Sequence, residues 1–210
     1  MRKQAKIDKK RKGGVDVARE VILFIAASID GFIADKAGGV AWLEENIRGD
    51  EEDRSYDEMY EKIDTVVMGR TTYDQVTQEL SPDVYFYEDK HSYIITSHPE
   101  PSTASRTFTK EDPVTLIRRL KEEDGAGIWI VGGPKVVQPL LAADLIDTFI
   151  LTTIPLFLGE GIALYETMAQ SIPVRLKQVY QKNELVYSIY QRENKNKKII
   201  IRLGKLLSRF

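Results

Sequence analysis

The chain has no cysteine. That excludes a disulfide scaffold, a zinc–thiolate site, an iron–sulfur cluster and a thiol nucleophile. Histidine is scarce: His91 and His98 are the only two, so there is no HExxH pair and no metal site is expected. No apolar run approaches the roughly 20 residues that a membrane helix requires, and a cytoplasmic protein is expected. Neither GxxxxGK[ST] nor GxGxxG occurs, so neither a P-loop nor a Rossmann fingerprint can be read from spacing.

Charge is nearly balanced overall at -2 but unevenly placed. Residues 1–14 carry seven Lys/Arg against Asp8, and residues 194–210 carry six and no acid. The stretch 15–193 therefore holds -14. Nucleic-acid-binding domains carry their positive charge on the folded surface, and this pattern is the reverse. We expect a basic extension over 1–19, one domain over 20–193 and a basic tail over 194–210, both ends dispensable for the fold. A secretory signal fits poorly, because Asp16 and Glu20 interrupt the approach to a short apolar run that leads into Asp30-Gly31. The segment Ile199–Leu207 is apolar and basic, which allows a weak interfacial helix or an unstructured tail.

Val21 to Ser28 is an apolar run of strand length, expected in the middle of a sheet. Residues 35–50 are expected as a long loop containing Trp42. A helix is expected over Glu51 to Lys62, acidic at its start and lysine-ended. Short strands follow at Thr65–Met68, Tyr93–Thr96, Gly127–Val131 and Thr148–Ile154. Helices are expected from Asp112-Pro113 to Glu123 and from Gly133-Pro134 to Ala142. Val174–Tyr180 and Glu184–Gln191 alternate like a hairpin about Lys182-Asn183. Alternating strands and helices with an antiparallel ending predict an α/β sandwich around a mixed sheet.

Three turns leave backbone N–H groups or hydroxyls beside small residues. These are Gly69-Arg70-Thr71-Thr72, Thr96-Ser97-His98 and Gly132-Gly133-Pro134-Lys135. Each has an ordinary structural reading as a cap or turn. Together they are consistent with a phosphorylated cofactor lying across strand ends.

The order of the segments Ile25–Ala34, Trp42, Val66–Tyr73, Ile94–Ser97, Val131–Gly133 and Leu151–Ile154 resembles the dihydrofolate reductase fold. The nearest resemblance is to stand-alone bacterial relatives of the reductase domain of the riboflavin-biosynthesis deaminase/reductase. It runs from about residue 20 to 192. It implies a three-layer sandwich around a mostly parallel eight-stranded mixed sheet, and an NADPH-dependent reductase that prefers NADPH to NADH. By this resemblance Gly69, Arg70, Thr71 and Thr72 would hold cofactor phosphates, and Thr96 and Ser97 the 2′-phosphate. Gly132 and Gly133, in a turn that is often cis in the family, would meet the pyrophosphate with Pro134, Lys135 and Val136. Ala26 would lie by the nicotinamide, with the loop holding Ile33 and Ala34 closing over it.

The family's carboxylate lies sixteen residues before the glycine of Gly-Arg-x-Thr, which reaches Asp53 here. Asp57 stands one turn on, and Thr152 matches a threonine that supports the carboxylate by hydrogen bonding. A carboxylate at Asp53 would hold an imine or amide and promote its protonation. Its plain reading is a surface acid at a helix start. The expected reaction is hydride transfer to a C=N or C=O of a small pterin- or pyrimidine-type heterocycle. Two alternatives stand beside it: a riboflavin-pathway 5-amino-6-(5-phosphoribosylamino)uracil reductase, and a nucleotide-binding module without catalysis. Departures from the family pattern are Lys90 near the folate-tail arginine position and Gln78–Asp83 where riboflavin-pathway enzymes carry Asp-x-Pro-x-Leu-x-x-Arg. A homodimer through the final hairpin is also expected, from Val179, Leu185, Val186 and Ile189.

Overall fold

The computed structural model describes residues 18–193. The readings of the two basic ends fall on 1–17 and 194–210, outside the described residues. Ten strands and five helices follow in order: β1 Val21–Ser28, β2 Phe32–Ala34, α1 Ala41–Glu45, α2 Ser55–Tyr60, β3 Ile63–Gly69 and α3 Arg70–Gln75. Then come β4 His91–Ile95, β5 Arg106–Thr109, α4 Pro113–Glu122, β6 Gly127–Gly132, α5 Pro134–Ala142 and β7 Thr148–Ile154. Last are β8 Ile162–Ala163, β9 Val174–Lys182 and β10 Leu185–Arg192. A wider π-type turn over Val76–Leu80 extends α3.

Eight strands form one sheet in the order β5-β4-β3-β6-β1-β7-β10-β9. The six from β5 to β7 run parallel, β10 runs antiparallel to β7, and β9 antiparallel to β10. β2 and β8 pair separately. This is the mixed α/β sheet that the sequence predicts. β1 lies between β6 and β7, and its apolar start is buried, as a run covered on both faces requires.

Side chains alternate across the sheet. One face packs Val21 and Leu23 against Leu116, Ile117 and Leu120 of α4 and Val136, Val137 and Leu140 of α5. The other packs Ile22, Val66, Met68 and Trp129 against Met59 of α2. Trp42, Ile154, Leu185 and Tyr187 continue that second face toward the final hairpin. Each fully buried aliphatic side chain contributes about 1.5–3 kcal/mol by leaving water. α4 starts as expected: Asp112 accepts from the amides of Val114 (3.0 Å) and Thr115 (3.1 Å), with Pro113 in the first turn.

Several expectations are corrected. The helix over 51–62 shortens to Ser55–Tyr60, because the backbone before it is spent on the β9–β10 turn. Glu51 N–H donates to Asn183 (2.8 Å), Asn183 donates back to the Glu51 carbonyl (2.8 Å), and Lys182 donates to the Glu52 carbonyl (2.8 Å). That turn is Asn183-Glu184, both at positive φ, one residue later than expected. The 35–50 loop contains α1, which buries Trp42. Ile33 and Ala34 lie in β2 rather than in a loop, and Ala34 is buried against β8. Every described peptide bond is trans, Gly132-Gly133 included. Of the four hairpin residues named, Leu185 is core and Ile189 half-buried, whereas Val179 and Val186 are exposed.

Candidate functional site

Parallel strands end on the same edge, and the sheet order makes β4, β3 and β6 neighbours. Their carboxyl ends bring the three turns together. Gly69 is in register with Ile95, and Met68 with Gly132. Thr72 accepts from the Gly133 amide at 3.2 Å, which ties two of the turns directly. Both glycines keep backbone open: a Cβ on Gly69 would touch Val136 at 3.5 Å, and one on Gly133 would touch Thr72 at 3.6 Å. Gly132 sits at φ +141, which side-chain-bearing residues rarely adopt. Pro134 opens α5 with Lys135 exposed and Val136 buried in its first turn. Thr71 is exposed.

Thr96 and Ser97 follow β4, but they differ. Thr96 is buried and accepts from the His98 amide at 3.1 Å, so it closes its own turn. Ser97 is exposed and shares a 2.9 Å hydrogen bond with the His98 ring. Arg70 is already engaged. Its Nε donates to Asp74 (2.7 Å) and its Nη1 to Glu100, contacts that raise its pKa further.

Asp53 lies where the second face of the sheet meets the final hairpin. Ala26 of β1, Thr152 of β7, Tyr187 of β10 and Tyr180 of β9 form one row in register across the sheet. Tyr187 donates its hydroxyl to Asp53 Oδ2. Ser55 donates its amide (2.9 Å) and its hydroxyl to Oδ1, and Tyr180 donates to the Ser55 hydroxyl at 2.8 Å. The two tyrosine rings stack at 4.8 Å and 6°. Burial opposes the Asp53 charge, yet donation by Ser55 and Tyr187 with Lys182 nearby holds its carboxyl below the usual range. Burial, followed by donation to Asp53, pushes the Tyr187 hydroxyl up.

The support expected from Thr152 therefore comes from Tyr187 and Ser55. Thr152 is buried between Ala26 and Tyr187 instead. Asp57 is exposed and lies outside this network; its charge acts on Tyr56, whose hydroxyl burial and neighbouring carboxylates push up to about 12. Local sequence pattern does not single out Tyr180 and Tyr187 as site residues. They stand equally far from the hairpin turn, so correct placement of that turn pairs them.

One neighbouring feature shapes the edge. Asp30 accepts from Ser28 (2.6 Å) and from the amides of Leu158 (3.0 Å) and Gly159 (2.7 Å), latching the end of β1 to the loop after β7. A groove lined by Ala18, Arg19 and residues 121–125 lies at the opposite, amino edge and contains none of the candidate residues. Among the described residues, no helix is long and apolar enough to cross a membrane.

Comparison with known proteins bears on the family and the fold. The chain is 39% identical over 175 residues to a Bacillus subtilis (strain 168) protein named "Uncharacterized protein YwjB", covering 83% of this chain and 98% of that one. It is 26% identical over 167 residues to "Uncharacterized protein YyaP" of the same strain, covering 75% and 86%. A crystal structure of a putative riboflavin biosynthesis protein from Shewanella sp. PV-4 superposes with a TM-score of 0.73 at 28% identity, over 83% of this chain and 99% of that one. A Thermotoga maritima diaminohydroxyphosphoribosylaminopyrimidine deaminase/5-amino-6-(5-phosphoribosylamino)uracil reductase shares the fold, with a TM-score of 0.63 at 20% identity. The match covers 84% of this chain and 57% of that longer one. The family model described as RibD C-terminal domain matches residues 19–186, and the chain belongs to that family.

Proposed function

We propose that the protein is an NADPH-dependent reductase that reduces a C=N or C=O of a small pterin- or pyrimidine-type heterocycle. The observation that carries this reading is the shared carboxyl edge of the sheet. Three phosphate-compatible turns stand at β4, β3 and β6, and a hydrogen-bonded carboxylate stands beyond β1 and β7. The residues fit a dinucleotide: Gly69 and Gly133 leave backbone open, and Arg70, Thr72, Ser97 and Lys135 offer donors around it. Gly132, Pro134 and Val136 shape the same turn. Ala26, in register with Thr152, would lie by the nicotinamide. The bound nucleotide would supply the hydride.

Asp53 works as an anion in this reading. A carboxylate held below its usual pKa is a poor proton donor, but it accepts an N–H and stabilises positive charge on a protonated imine. Its effect is to raise the substrate's basicity. The proton then comes from water, and the carboxylate keeps its own two supports. Tyr56, Phe24 and Trp129 form an aromatic bank on the same face, with Tyr56–Phe24 centroids 6.4 Å apart, suited to a flat ring.

Family membership and the Shewanella neighbour favour a second reading, a riboflavin-pathway reductase acting on a phosphoribosylamino-pyrimidine. One experiment separates the two. Oxidation of NADPH is followed at the nicotinamide absorbance with dihydropterins and with ribosylamino-pyrimidines, in wild type and Asp53→Asn. The proposal expects turnover with one class and a loss of about a hundredfold or more in Asp53→Asn, with NADPH binding kept. Tight NADPH binding without turnover on either class would leave a binding module. The same reading has two copies pairing through the hairpin face that exposes Val179 and Val186. Light scattering on the full chain tests this, and a Val179→Asp variant that halves a dimeric mass supports it.

A further inference from the structure

We propose that Glu100 sets how strongly this chain discriminates between 2′-phosphorylated and unphosphorylated adenine nucleotides; the inference rests on the nucleotide reading of the carboxyl edge. Arg70 follows β3 directly, and its guanidinium carries five N–H donors in a fixed fork. Two carboxylates already occupy that fork. Asp74, four residues on, takes Nε at 2.7 Å, and Glu100 takes Nη1.

Glu100 does not come from the same helix. It belongs to the segment after β4 that also carries Thr96 and Ser97, and it stands between Pro99 and Pro101. Proline on either side restricts the backbone that presents the Glu100 side chain. Gly69 and Ile95 are in register, so Arg70 and the Thr96-Ser97 turn leave adjacent strand ends, with Glu100 bonded to Arg70. An anionic group held between Arg70 and that turn would have to share the guanidinium with it or displace it.

The charges then decide the sign. Arg70 contributes +1 while Asp74 and Glu100 contribute -2, so the triad presents a net negative field. A phosphate monoester arrives with about -1.5 to -2 at pH 7, whereas a ribose 2′-hydroxyl is neutral. Glu100 therefore weakens the phosphorylated ligand and scarcely affects the other. It is a tuning counter-ion and not a block. Side-chain exposure of 36% for Arg70 and 49% for Glu100 leaves the pair solvent-screened, so its effect is small.

The test uses the full chain and its Glu100→Gln variant, titrated with NADPH and with NADH at low and high salt. Expected is an affinity for NADPH tighter by about two- to fivefold in Glu100→Gln, with NADH changed by less than that. Raising the salt should shrink the difference. In an Arg70→Gln background the Glu100→Gln change should have a smaller effect on the NADPH-to-NADH ratio, because the competition for the cation is gone and only screened repulsion remains. Equal changes for both nucleotides, or no change for NADPH, would overturn the role of Glu100 while leaving the nucleotide reading standing. No binding of either nucleotide by either protein would overturn both.

Discussion

Tyr187 donates its hydroxyl to the carboxylate of Asp53 across 134 positions of sequence, joining the last strand to the segment before α2. The bond explains how an acid in a run of acids becomes a defined group. The run Asp50-Glu51-Glu52-Asp53 is tied at Glu51 and Glu52 to the hairpin turn, and at Asp53 to the hairpin's second strand. The carboxylate is held from both sides, by Tyr187 of the sheet and by Ser55 at the start of α2.

Removing that donor makes a sharp test. Asp53 has a folded pKa below its unfolded value, so its contribution to stability is fully present above the unfolded value near 3.8 and fades as pH falls through the lower folded one. Tyr187→Phe should raise the folded pKa toward the unfolded one. The stability gap between wild type and variant should then be widest at neutral pH and narrow below about pH 3.8, read from chemical denaturation at a series of pH values. If Asp53 acts as an anion, the acid limb of kcat/KM should also move to higher pH in Tyr187→Phe. An unmoved limb would mean that Tyr187 only packs.

Much of this edge is legible in the sequence because its signals are local. The apolar run Val21–Ser28, Asp112-Pro113 and Gly133-Pro134 each carry their own start or stop chemistry, and strand and helix follow them. β5 escaped notice because Arg106-Thr107-Phe108-Thr109 is short and half polar, and lies at the edge of the sheet. The helix expected from Glu51 looked sound by charge alone. Its first turn was lost to hydrogen bonds from residues 182–183, which no local pattern reports. The same holds for Glu100 on Arg70: motif spacing selects the arginine but says nothing of the carboxylate opposite it.

The tie between Thr72 and Gly133 should couple stability to nucleotide binding. Thr72→Val keeps the shape and removes the acceptor, leaving the Gly133 amide to seek another partner. We expect a loss of about 1 kcal/mol in denaturant unfolding, with a weaker affinity for both NADPH and NADH. Stability lost with both affinities unchanged would place Thr72 in the scaffold alone.

Leu116 of α4 is fully buried between the helix and the face of the sheet formed by Val21, Leu23 and Ile128. Leu116→Ala should cost about 2–5 kcal/mol by lost transfer energy and an unfilled cavity. Because α4 is far from Asp53 in the sheet, the variant that remains folded should keep the wild-type pH profile. A shifted profile would show that the core on this side reaches the candidate site.

Gly161 makes the tightest backbone approach in the small β2–β8 sheet. A Cβ there would collide with the carbonyl oxygen of Ala34 and press on the Leu158 side chain at 3.2 Å. The colliding partner is backbone, so it cannot rotate away, and Ala34 is itself buried and held in register with Ile162. Gly161→Ala must therefore push β8 off β2. The segment from Leu156 to Gly161, latched to β1 through Asp30, would shift with it. We expect a clear drop in melting temperature and faster proteolysis within 156–164, with the β4–β3–β6 edge unaffected. Nucleotide affinity unchanged alongside that local loosening would show that β2 and β8 form a unit separate from the β4–β3–β6 edge. Wild-type melting and proteolysis would show that the strand pair relaxes more readily than its backbone contacts imply.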